Sequence, residues 1–344
     1  MAGVRDTSID VVRGLAVLIM LPANAAPLLA EPHPFAFRLA SSFAAPLFVF
    51  LSGLMAGMSA GRGRRAGYLW QRALWVLCFA ALVDVAIWRI VPFTTMDVLY
   101  LMAVAMLVLG ALRRLPAWSL LALATLVFAL TPLLQAWLGY SAAPLEIGLS
   151  GAIQMAPEQP VSVLQHWLVD GWFPLCPWLG FGLLGGAAGR ARLARATPTG
   201  LPRAWSLGLS AALVAVGGGL WWSFPGAALT REGYSELFYP PAPGFLLVAA
   251  GAIGLLLEAA SAWARGRAWA PLRALGEASL ACYVGHLALL AYLLPVLFDA
   301  LDGAAFAVVV LGLEGVVIGL GFALRPLRRA LRSPPLPVRM LVGS

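Results

Sequence analysis

Apolar runs of about 20 residues, the length of helix that crosses about 30 Å of hydrocarbon, recur along this 344-residue chain. Only 11% of its residues are charged, so no part of it could supply the charged surface of a soluble domain. The sequence therefore predicts an all-α, polytopic transmembrane helix bundle. We expect residues 1–344 to form a single integral membrane domain.

We predict about ten transmembrane helices, separated by short connections of helix breakers and arginines. Their expected ranges are 8–30, 39–60, 68–90, 95–112, 117–138, 173–189, 204–223, 243–263, 275–297 and 303–324. The connection 139–172 is much longer, and long loops in compact proteins are usually functional or disordered. We predict that it is an extracytoplasmic loop at the membrane interface. Residues 325–344 are predicted to be a cytoplasmic basic tail.

The distribution of the arginines predicts the orientation of the chain. All 23 basic residues are arginine, and the predicted topology places 20 of them on one side, including Arg5, Arg265 and Arg332. The other three are Arg38, Arg89 and Arg231. Cytoplasmic loops of membrane proteins carry such an excess of positive charge. Both termini are thus predicted to be cytoplasmic, in a multi-pass protein of the cell inner (cytoplasmic) membrane, and the net charge of +8 is not a nucleic-acid footprint.

The first apolar run also has some features of a signal peptide, because Ala23, Asn24 and Ala25 resemble a cleavage site. Asp6 and Asp10 are unusual in the cationic start of such a peptide, which favours a retained helix. The arginine count alone does not distinguish the two.

The cysteines and glycines of the chain indicate packing and not chemistry. Cys78, Cys176 and Cys282 lack metal-ligand spacing, so we expect buried structural thiols and no metal. Small residues spaced four apart allow helix backbones to approach closely. The pairs are Gly53 and Gly57, Gly182 and Gly186, Gly185 and Gly189, and Gly315 and Gly319. No internal repeat is evident, which weighs against transporters built from inverted repeats.

Ionisable residues at membrane depth are costly and are usually functional. Asp10 and Arg13 lie one helical turn apart, so they predict a local ion pair. His286 and Glu314 fall near the centres of two helices that run antiparallel. We predict that their side chains interact.

Four segments resemble a known family. They are 8–16 (SIDVVRGLA), 45–53 (APLFVFLSG), 170–180 (DGWFPLCPWLG) and 276–286 (GEASLACYVGH). In this order they resemble the catalytic domain of heparan-alpha-glucosaminide N-acetyltransferase and its bacterial relatives. The resemblance covers nearly the whole chain, and segment 170–180 is its most specific part.

The resemblance implies transfer of acetyl from cytoplasmic acetyl-CoA, as co-substrate, to a sugar amine or hydroxyl on the far side of the membrane. The family's essential histidine follows the first transmembrane helix, shortly after an asparagine, and His33 and Asn24 match these positions. The family's Gly- and aromatic-rich surroundings are replaced here by Ala, Leu and Pro. His33 is the candidate base, with Asn24 hydrogen-bonding the developing oxyanion. Whether His33 instead carries the acetyl group stays open.

Other candidate residues are assigned to the two substrates. Asp170, His166 and Trp178 are expected to bind the acceptor. The acyl-CoA channel is expected to include Arg13, Asp10, Ser279, Tyr283 and His286, because arginine forks suit the phosphates of CoA. The expected partners are the lipid bilayer, an acyl-CoA donor and an extracytoplasmic glycan or amino sugar, without nucleic acid. Acyl length and the formation of a homodimer stay open.

Two other function classes are compatible with the sequence. Asp84, His286 and Glu314 could form the proton relay of a proton-coupled transporter, and uptake driven by a pH gradient would favour that reading. A non-catalytic membrane scaffold would show no binding of acyl-CoA. The acetyltransferase is the leading hypothesis because it alone uses the four segments together.

Overall fold

The structure is a computed structural model that describes residues 6–157, 161–264, 266–331 and 334–343. Arg5, Arg265 and Arg332, three of the predicted cytoplasmic arginines, lie outside these residues. The described chain is mostly helical, with two short strands, which confirms the predicted all-α class.

Fifteen α-helices follow one another in the described part of the chain, in an order that we label α1 to α15. They are α1 Thr7–Asn24, α2 Phe35–Ser41, α3 Ala44–Gly61, α4 Ala66–Val83, α5 Val98–Ala111, α6 Ala117–Leu138, α7 Val163–Gln165, α8 Leu175–Arg195, α9 Arg203–Ser223, α10 Pro243–Trp263, α11 Ala270–Glu277, α12 Ser279–Tyr292, α13 Leu294–Leu297, α14 Gly303–Ala330 and α15 Leu336–Val342. Helical turns of 3-10 type lie at Ala26–Leu28 and Arg267–Trp269, and π-helical turns extend α4 and α7 over Asp84–Trp88 and His166–Asp170.

Eight segments of the described chain are long and apolar enough to cross a membrane. They are Thr7–Leu28, Phe35–Gly61, Ala66–Trp88, Ala117–Leu138, Arg203–Ser223, Pro243–Trp263, Ser279–Leu297 and Gly303–Ala330. The two predicted transmembrane helices that are not among these eight are α5 and α8. Helix α5 has only 14 residues, and the hydropathy of α8 is lowered by its glycines and by Arg190, Arg192 and Arg195.

The long connection and the tail differ in detail from their predicted forms. Residues 139–172 contain a short antiparallel hairpin, with strands β1 Glu146–Ile147 and β2 Ile153–Met155, followed by α7. Helix α14 does not end at residue 324 but continues to Ala330. Its arginines therefore remain ordered on a helix, and Arg325 Nε and Arg328 Nη2 each lie 2.9 Å from Oε2 of Glu277.

The chain divides into two compact units. Unit 1 contains Met1–Ala44, Glu232–Glu236 and Leu255–Ser344. Unit 2 contains Ala45–Arg231 and Leu237–Gly254. The short piece Glu232–Glu236 thus packs with the first and last parts of the chain, although its neighbours in sequence belong to unit 2.

Glycines place helix backbones in direct contact inside each unit. In unit 1, a Cβ on Gly276 of α11 would overlap the carbonyl oxygen of Asp10 on α1. In unit 2, Gly53 of α3 packs on the carbonyl of Gly182 in α8, as the four-residue spacing predicts. The same holds for the contacts that Gly57, Gly185 and Gly189 make between these helices.

The prediction for Gly315 and Gly319 is wrong. No described residue lies within 4 Å of the position that a Cβ would take at either glycine. Spacing alone does not say which face of α14 meets a neighbour. The expectation of three buried thiols is also only partly met, because Cys282 is buried, Cys176 is half-buried and Cys78 is exposed.

Candidate functional site

A row of polar side chains joins α1 to α12 inside unit 1. Near the C-terminal end of α1, Nδ2 of Asn24 lies 2.9 Å from Nε2 of His286, which is fully buried. The other ring nitrogen, Nδ1, lies 3.0 Å from the carbonyl oxygen of Cys282. An amide N–H can only donate and a carbonyl can only accept, so Nδ1 of His286 carries the proton and Nε2 accepts. His286 is therefore a neutral imidazole in this arrangement.

Nearer the N-terminal end of α1, the same row contains charged side chains. Nη1 of Arg13 lies 3.7 Å from Oδ1 of Asp10, which confirms the predicted ion pair. Nη2 of Arg13 donates to Oγ of Ser279 at 2.5 Å. Ser279, Tyr283 and His286 follow one another at helical spacing along α12, and the rings of Tyr283 and His286 meet edge to face at 5.5 Å. We call the row of Asp10, Arg13, Asn24, Ser279, Tyr283 and His286 the polar seam.

His33 lies beyond the end of α1 and is held by hydrogen bonds at both ring nitrogens. Its Nε2 lies 3.0 Å from the carbonyl oxygen of Leu29, so Nε2 carries the proton and donates. Nδ1 is within hydrogen-bond distance of the hydroxyl of Ser235, and in the neutral ring it accepts from that hydroxyl. His33 is 9% exposed and Ser235 is 4% exposed, so this pair is shielded from bulk water. The edge of the His33 ring packs at 5.7 Å from Phe37 of α2.

The loop that carries Leu29 is fixed by backbone hydrogen bonds. The backbone N–H of Ala30 donates to the carbonyl of Leu301 at 2.8 Å, and the N–H of Leu301 donates to the carbonyl of Leu28 at 2.7 Å. Phe37 also packs on Phe306 of α14 at 5.5 Å. The acceptor of the Nε2 proton of His33 is consequently part of a rigid frame within unit 1.

Two charged residues complete what we call the His33 cluster, which consists of His33, Arg38, Ser235 and Glu236. Arg38 Nε donates to the backbone carbonyl of Ser235 at 2.6 Å. Glu236 is 7% exposed, and its Oε2 has no hydrogen-bond partner among the described residues. Burial raises the pKa of Glu236 from 4.5 to about 7, against the lowering effect of its own backbone and of Arg38. The cluster thus contains a buried imidazole and a buried carboxyl group that titrates near neutral pH.

The raised pKa of Glu236 predicts how stability depends on pH. The unfolded chain ionises this carboxyl above its model value of 4.5, whereas the folded protein does so only near 7. The folded state therefore binds more protons between these values, and stability falls as pH rises through them. The total loss is about 3 kcal/mol. We expect Glu236→Gln to remove this loss, measured as the melting temperature of detergent-purified protein across the pH range.

The control for that experiment is Glu31→Gln, which changes an exposed carboxyl of the same unit. It should reproduce the pH dependence of the unmodified protein. An unchanged pH dependence in Glu236→Gln would show that the carboxyl of Glu236 is not desolvated in the folded state.

The hydrogen bond between Asn24 and His286 is expected to stabilise unit 1. Replacing Asn24 with Leu leaves Nε2 of the buried His286 unsatisfied, which costs about 1–3 kcal/mol, and replacing His286 with Leu leaves the half-buried Asn24 without this partner. Replacing both removes the unsatisfied group, so the double variant should be more stable than the sum of the single changes by about 0.5–3 kcal/mol. The measurement is a double-mutant cycle of reversible unfolding in mixed micelles. Strictly additive losses would mean that the two side chains do not interact.

The residues assigned to the acceptor lie in unit 2 and are buried. Nδ1 of His166 lies 2.6 Å from Oδ1 of Asp170, and both side chains are completely buried. At this distance the two side chains are in direct contact, although their angles do not meet hydrogen-bond geometry. Nε2 of His166 accepts from the backbone N–H of Leu145 at 3.0 Å. His166 therefore links the π-helical turn to the preceding loop.

Arg231 holds this loop in place through hydrogen bonds, and no role for it was predicted from the sequence. It is 2% exposed and donates to the backbone carbonyls of Ser141, Ala142, Asp170 and Gly171 at 2.7–3.2 Å. Its guanidinium also lies 4.8 Å from the ring centres of Tyr140 and Tyr239. The buried Tyr140 hydroxyl has its pKa raised to about 12 by burial, even though Arg231 opposes the shift.

Trp178 belongs to a packed aromatic cluster in unit 2. It is 1% exposed and meets Phe238 edge to face at 4.9 Å and Phe173 at 5.7 Å. The specific segment 170–180 thus supplies both the His166–Asp170 contact and a hydrophobic anchor. No single-sequence signal separates such an anchor from a binding residue.

The predicted pairing of His286 with Glu314 is wrong. Both ring nitrogens of His286 are engaged by Asn24 and the Cys282 carbonyl, and no hydrogen bond or ion pair joins the two residues among those described. Asp84, in unit 2, accepts a hydrogen bond from the hydroxyl of Tyr100 at 2.5 Å. His286 and Asp84 are thus each hydrogen-bonded to a residue outside the proposed relay.

The structure brings Asn24 together with His286, and Arg13 together with Asp10 and Ser279, within unit 1. It does not join Asn24 to His33; their hydrogen bonds go to different partners. Ser235 and Glu236 were missed because they lie in a connection, 224–242, with no motif of its own. The only sequence signal there is a stretch of charged and aromatic residues before Pro240 and Pro241.

The family model for the catalytic domain of heparan-alpha-glucosaminide N-acetyltransferase matches residues 5–219 of this chain. This part covers well over half of the sequence and includes His33, Asn24 and segment 170–180. A search of curated proteins finds no match. The family is one of membrane acetyltransferases, in agreement with the eight apolar helices.

Proposed function

The chain belongs to the heparan-alpha-glucosaminide N-acetyltransferase catalytic-domain family, and we propose that it carries acetyl from cytoplasmic acetyl-CoA to an amine or hydroxyl of a glycan beyond the inner membrane. The observation that carries this proposal is the hydrogen-bonded arrangement of His33. Its imidazole is shielded from water, and in its neutral form it presents an unprotonated Nδ1 to a hydroxyl group. A general base needs this state.

Acyl transfer from a thioester requires such a base because the attacking nucleophile must lose a proton. Histidine exchanges protons near neutral pH, so His33 can take the proton and later return it. The Leu29 carbonyl fixes the tautomer by accepting from Nε2, which leaves Nδ1 as the basic atom. A third group orients the base in this way in other pairs of a nucleophile and a base.

The polar seam is proposed to hold the donor. The side chain of Arg13 is 21% exposed at the end of α1 that the charge distribution predicts to be cytoplasmic. A planar guanidinium suits the phosphates of CoA, and Asp10 and Ser279 orient it. Tyr283 and His286 follow along α12 and would line the path of the thin pantetheine arm.

Asn24 is proposed to assist the carbonyl that is attacked. One N–H of its amide donates to Nε2 of His286, which fixes the side chain. The amide has a second N–H, and we assign it to the oxyanion that develops on the acetyl group. A donor fixed in advance needs no reorganisation at the moment of reaction.

Asp170, His166 and Trp178 are proposed to shape the acceptor side without touching the acceptor. Their side chains are at most 1% exposed, which leaves no surface for a glycan to contact. The acceptor class is a cell-wall amino sugar, a lipid-linked glycan or a polysaccharide.

The proposal is tested with full-length protein in detergent, radiolabelled acetyl-CoA and a glucosamine-terminated oligosaccharide. We expect labelled, acetylated oligosaccharide, and a rise in melting temperature with acetyl-CoA, because a ligand that binds the folded form stabilises it. Coenzyme A lacking the acetyl group should stabilise without forming product. Failure of both binding and transfer, over amine and hydroxyl acceptors, would overturn the proposal.

A further inference from the structure

We propose that Ser235 is the nucleophile of this enzyme and carries the acetyl group as an ester between donor and acceptor. The inference rests on the proposed acetyltransferase function. It comes from the contacts of the His33 ring. Nε2 is protonated and donates to the Leu29 carbonyl, and Nδ1, which holds the lone pair of the neutral ring, faces the Ser235 hydroxyl. In this arrangement the proton that His33 removes is that of Ser235.

The pair has the construction of an activated nucleophile. A nucleophilic hydroxyl needs a base within hydrogen-bond reach, and the base needs a third group that orients it. Ser235, His33 and the Leu29 carbonyl fill these three roles in order. Ser235 and His33 are both buried, so few water molecules compete with the acceptor for an acyl-enzyme.

The backbone near Ser235 adopts a conformation that few residue types can take. Gly233 has a φ of 79°, a left-handed conformation that favours glycine. A Cβ at this position would also lie 2.9 Å from the Cα of Pro27, so the two chain segments touch. Arg38 then fixes the carbonyl of Ser235 from the other side at 2.6 Å. These contacts present the hydroxyl to His33 from a fixed backbone.

Residues 232–236 lie outside the matched range 5–219, so the family comparison says nothing about Ser235. The chain nevertheless places this short piece in unit 1, apart from its sequence neighbours and together with His33. A connection that only joined α9 to α10 would not need this arrangement.

The proposed reaction has two balanced steps. First, the Oγ–H of Ser235 gives its proton to Nδ1 of His33 as Oγ bonds to the acetyl carbon. The carbon–sulfur bond breaks, and the departing thiolate takes the proton from His33 to give free CoA. Second, the acceptor amine or hydroxyl gives a proton to His33 and bonds to the same carbon. The bond to Oγ then breaks, and Ser235 recovers its proton.

The test traps the intermediate in the full-length protein. Protein in detergent is incubated with radiolabelled acetyl-CoA without acceptor, quenched in acid, digested and sequenced by mass spectrometry. We expect one acetyl group on Ser235, retained in neutral buffer and released by alkaline hydroxylamine, as an ester is. Addition of the acceptor oligosaccharide before quenching should discharge it. An acetyl group on His33 would instead hydrolyse rapidly at neutral pH.

Variants make the test independent of folding defects. Ser235→Ala should lose the label and at least about 100-fold in transfer, while still being stabilised by acetyl-CoA. Ser235→Cys should retain the label as a thioester that neutral hydroxylamine cleaves. Ser41→Ala removes another buried serine of unit 1 and should behave as the unmodified protein.

Two outcomes overturn the inference while leaving the proposed function intact. One is transfer by unmodified protein with the label on another residue or on none. The other is full transfer by Ser235→Ala. Failure of the unmodified protein both to bind acetyl-CoA and to acetylate amine or hydroxyl acceptors would instead overturn the proposed function itself.

Discussion

Replacing His33 with Ala is expected to lower acetyl transfer by at least about 100-fold, because a positioned general base contributes about 100- to 10,000-fold to such reactions. In the structure, Nδ1 of His33 faces the Ser235 hydroxyl, and Nε2 donates to the Leu29 carbonyl. The readout is the initial rate of transfer at saturating acetyl-CoA. The loss should appear in kcat and not in KM for acetyl-CoA, because the donor's phosphates are proposed to bind at Arg13.

The matched variant is His33→Gln, which keeps a polar side chain beside Ser235 but cannot exchange a proton near neutral pH. It should lose activity to the same extent while melting close to the unmodified protein, since fewer buried groups are left unsatisfied. Near-normal rates in His33→Gln would remove His33 from the chemistry. Restoration of activity in His33→Ala by added imidazole would support its role as the base.

Replacing Gly276 with Leu is expected to prevent folding of unit 1. Gly276 lies where α11 crosses α1, and any side chain there would overlap the carbonyl oxygen of Asp10 and approach the backbone of Gly14. Backbone cannot move aside as a flexible side chain can, so the helices must separate. Overpacking in a tight core costs about 1–3 kcal/mol and occasionally more. We expect little monodisperse protein in detergent, measured by size-exclusion chromatography of a fluorescent fusion.

The control is Gly315→Leu on α14, where no described residue lies within 4 Å of the added Cβ. It should give the elution profile and yield of the unmodified chain. Equal yields for the two variants would contradict the close crossing of α1 and α11. A milder version, Gly276→Ala, should give an intermediate yield because the overlap begins at Cβ.

The sequence predicted those features that depend on composition and periodicity. Most helix spans, the ion pair of Asp10 and Arg13, and the close approach of a neighbouring backbone at Gly53 and Gly57 follow from local spacing. The sequence also indicated the family, from four ordered segments. Properties of this kind are decided within one or two helical turns, where side-chain directions are known.

Features that depend on which faces meet could not be predicted. Glu314 lies on α14, next to α12, but the partner of His286 is Asn24 on α1. The spacing of Gly315 and Gly319 is the same as that of Gly53 and Gly57, yet only the latter pair meets a neighbouring backbone. Such outcomes depend on helix rotation about its axis, which a uniformly apolar helix does not reveal in its sequence.

The partners of His33 were hidden for a different reason. Ser235 is about 200 residues away along the chain, and loop closure over such distances leaves no local pattern. The raised pKa of Glu236 and the hydrogen bonds of Arg231 to loop carbonyls likewise depend on burial that only the tertiary structure provides. The connection 224–242 therefore looked like a plain loop, although it supplies half of the His33 cluster.

Unit 1 offers a direct test of the central claim, which is transfer from the Arg13 end of α1 to the His33 end across the bilayer. Protein is reconstituted in one orientation into sealed vesicles, with the amino-sugar oligosaccharide trapped in the lumen and labelled acetyl-CoA added outside. Acetylated oligosaccharide should form in the lumen when the arginine-rich face points outward, and none when the orientation is reversed. Product that forms only when donor and acceptor share one side of the bilayer would contradict the account.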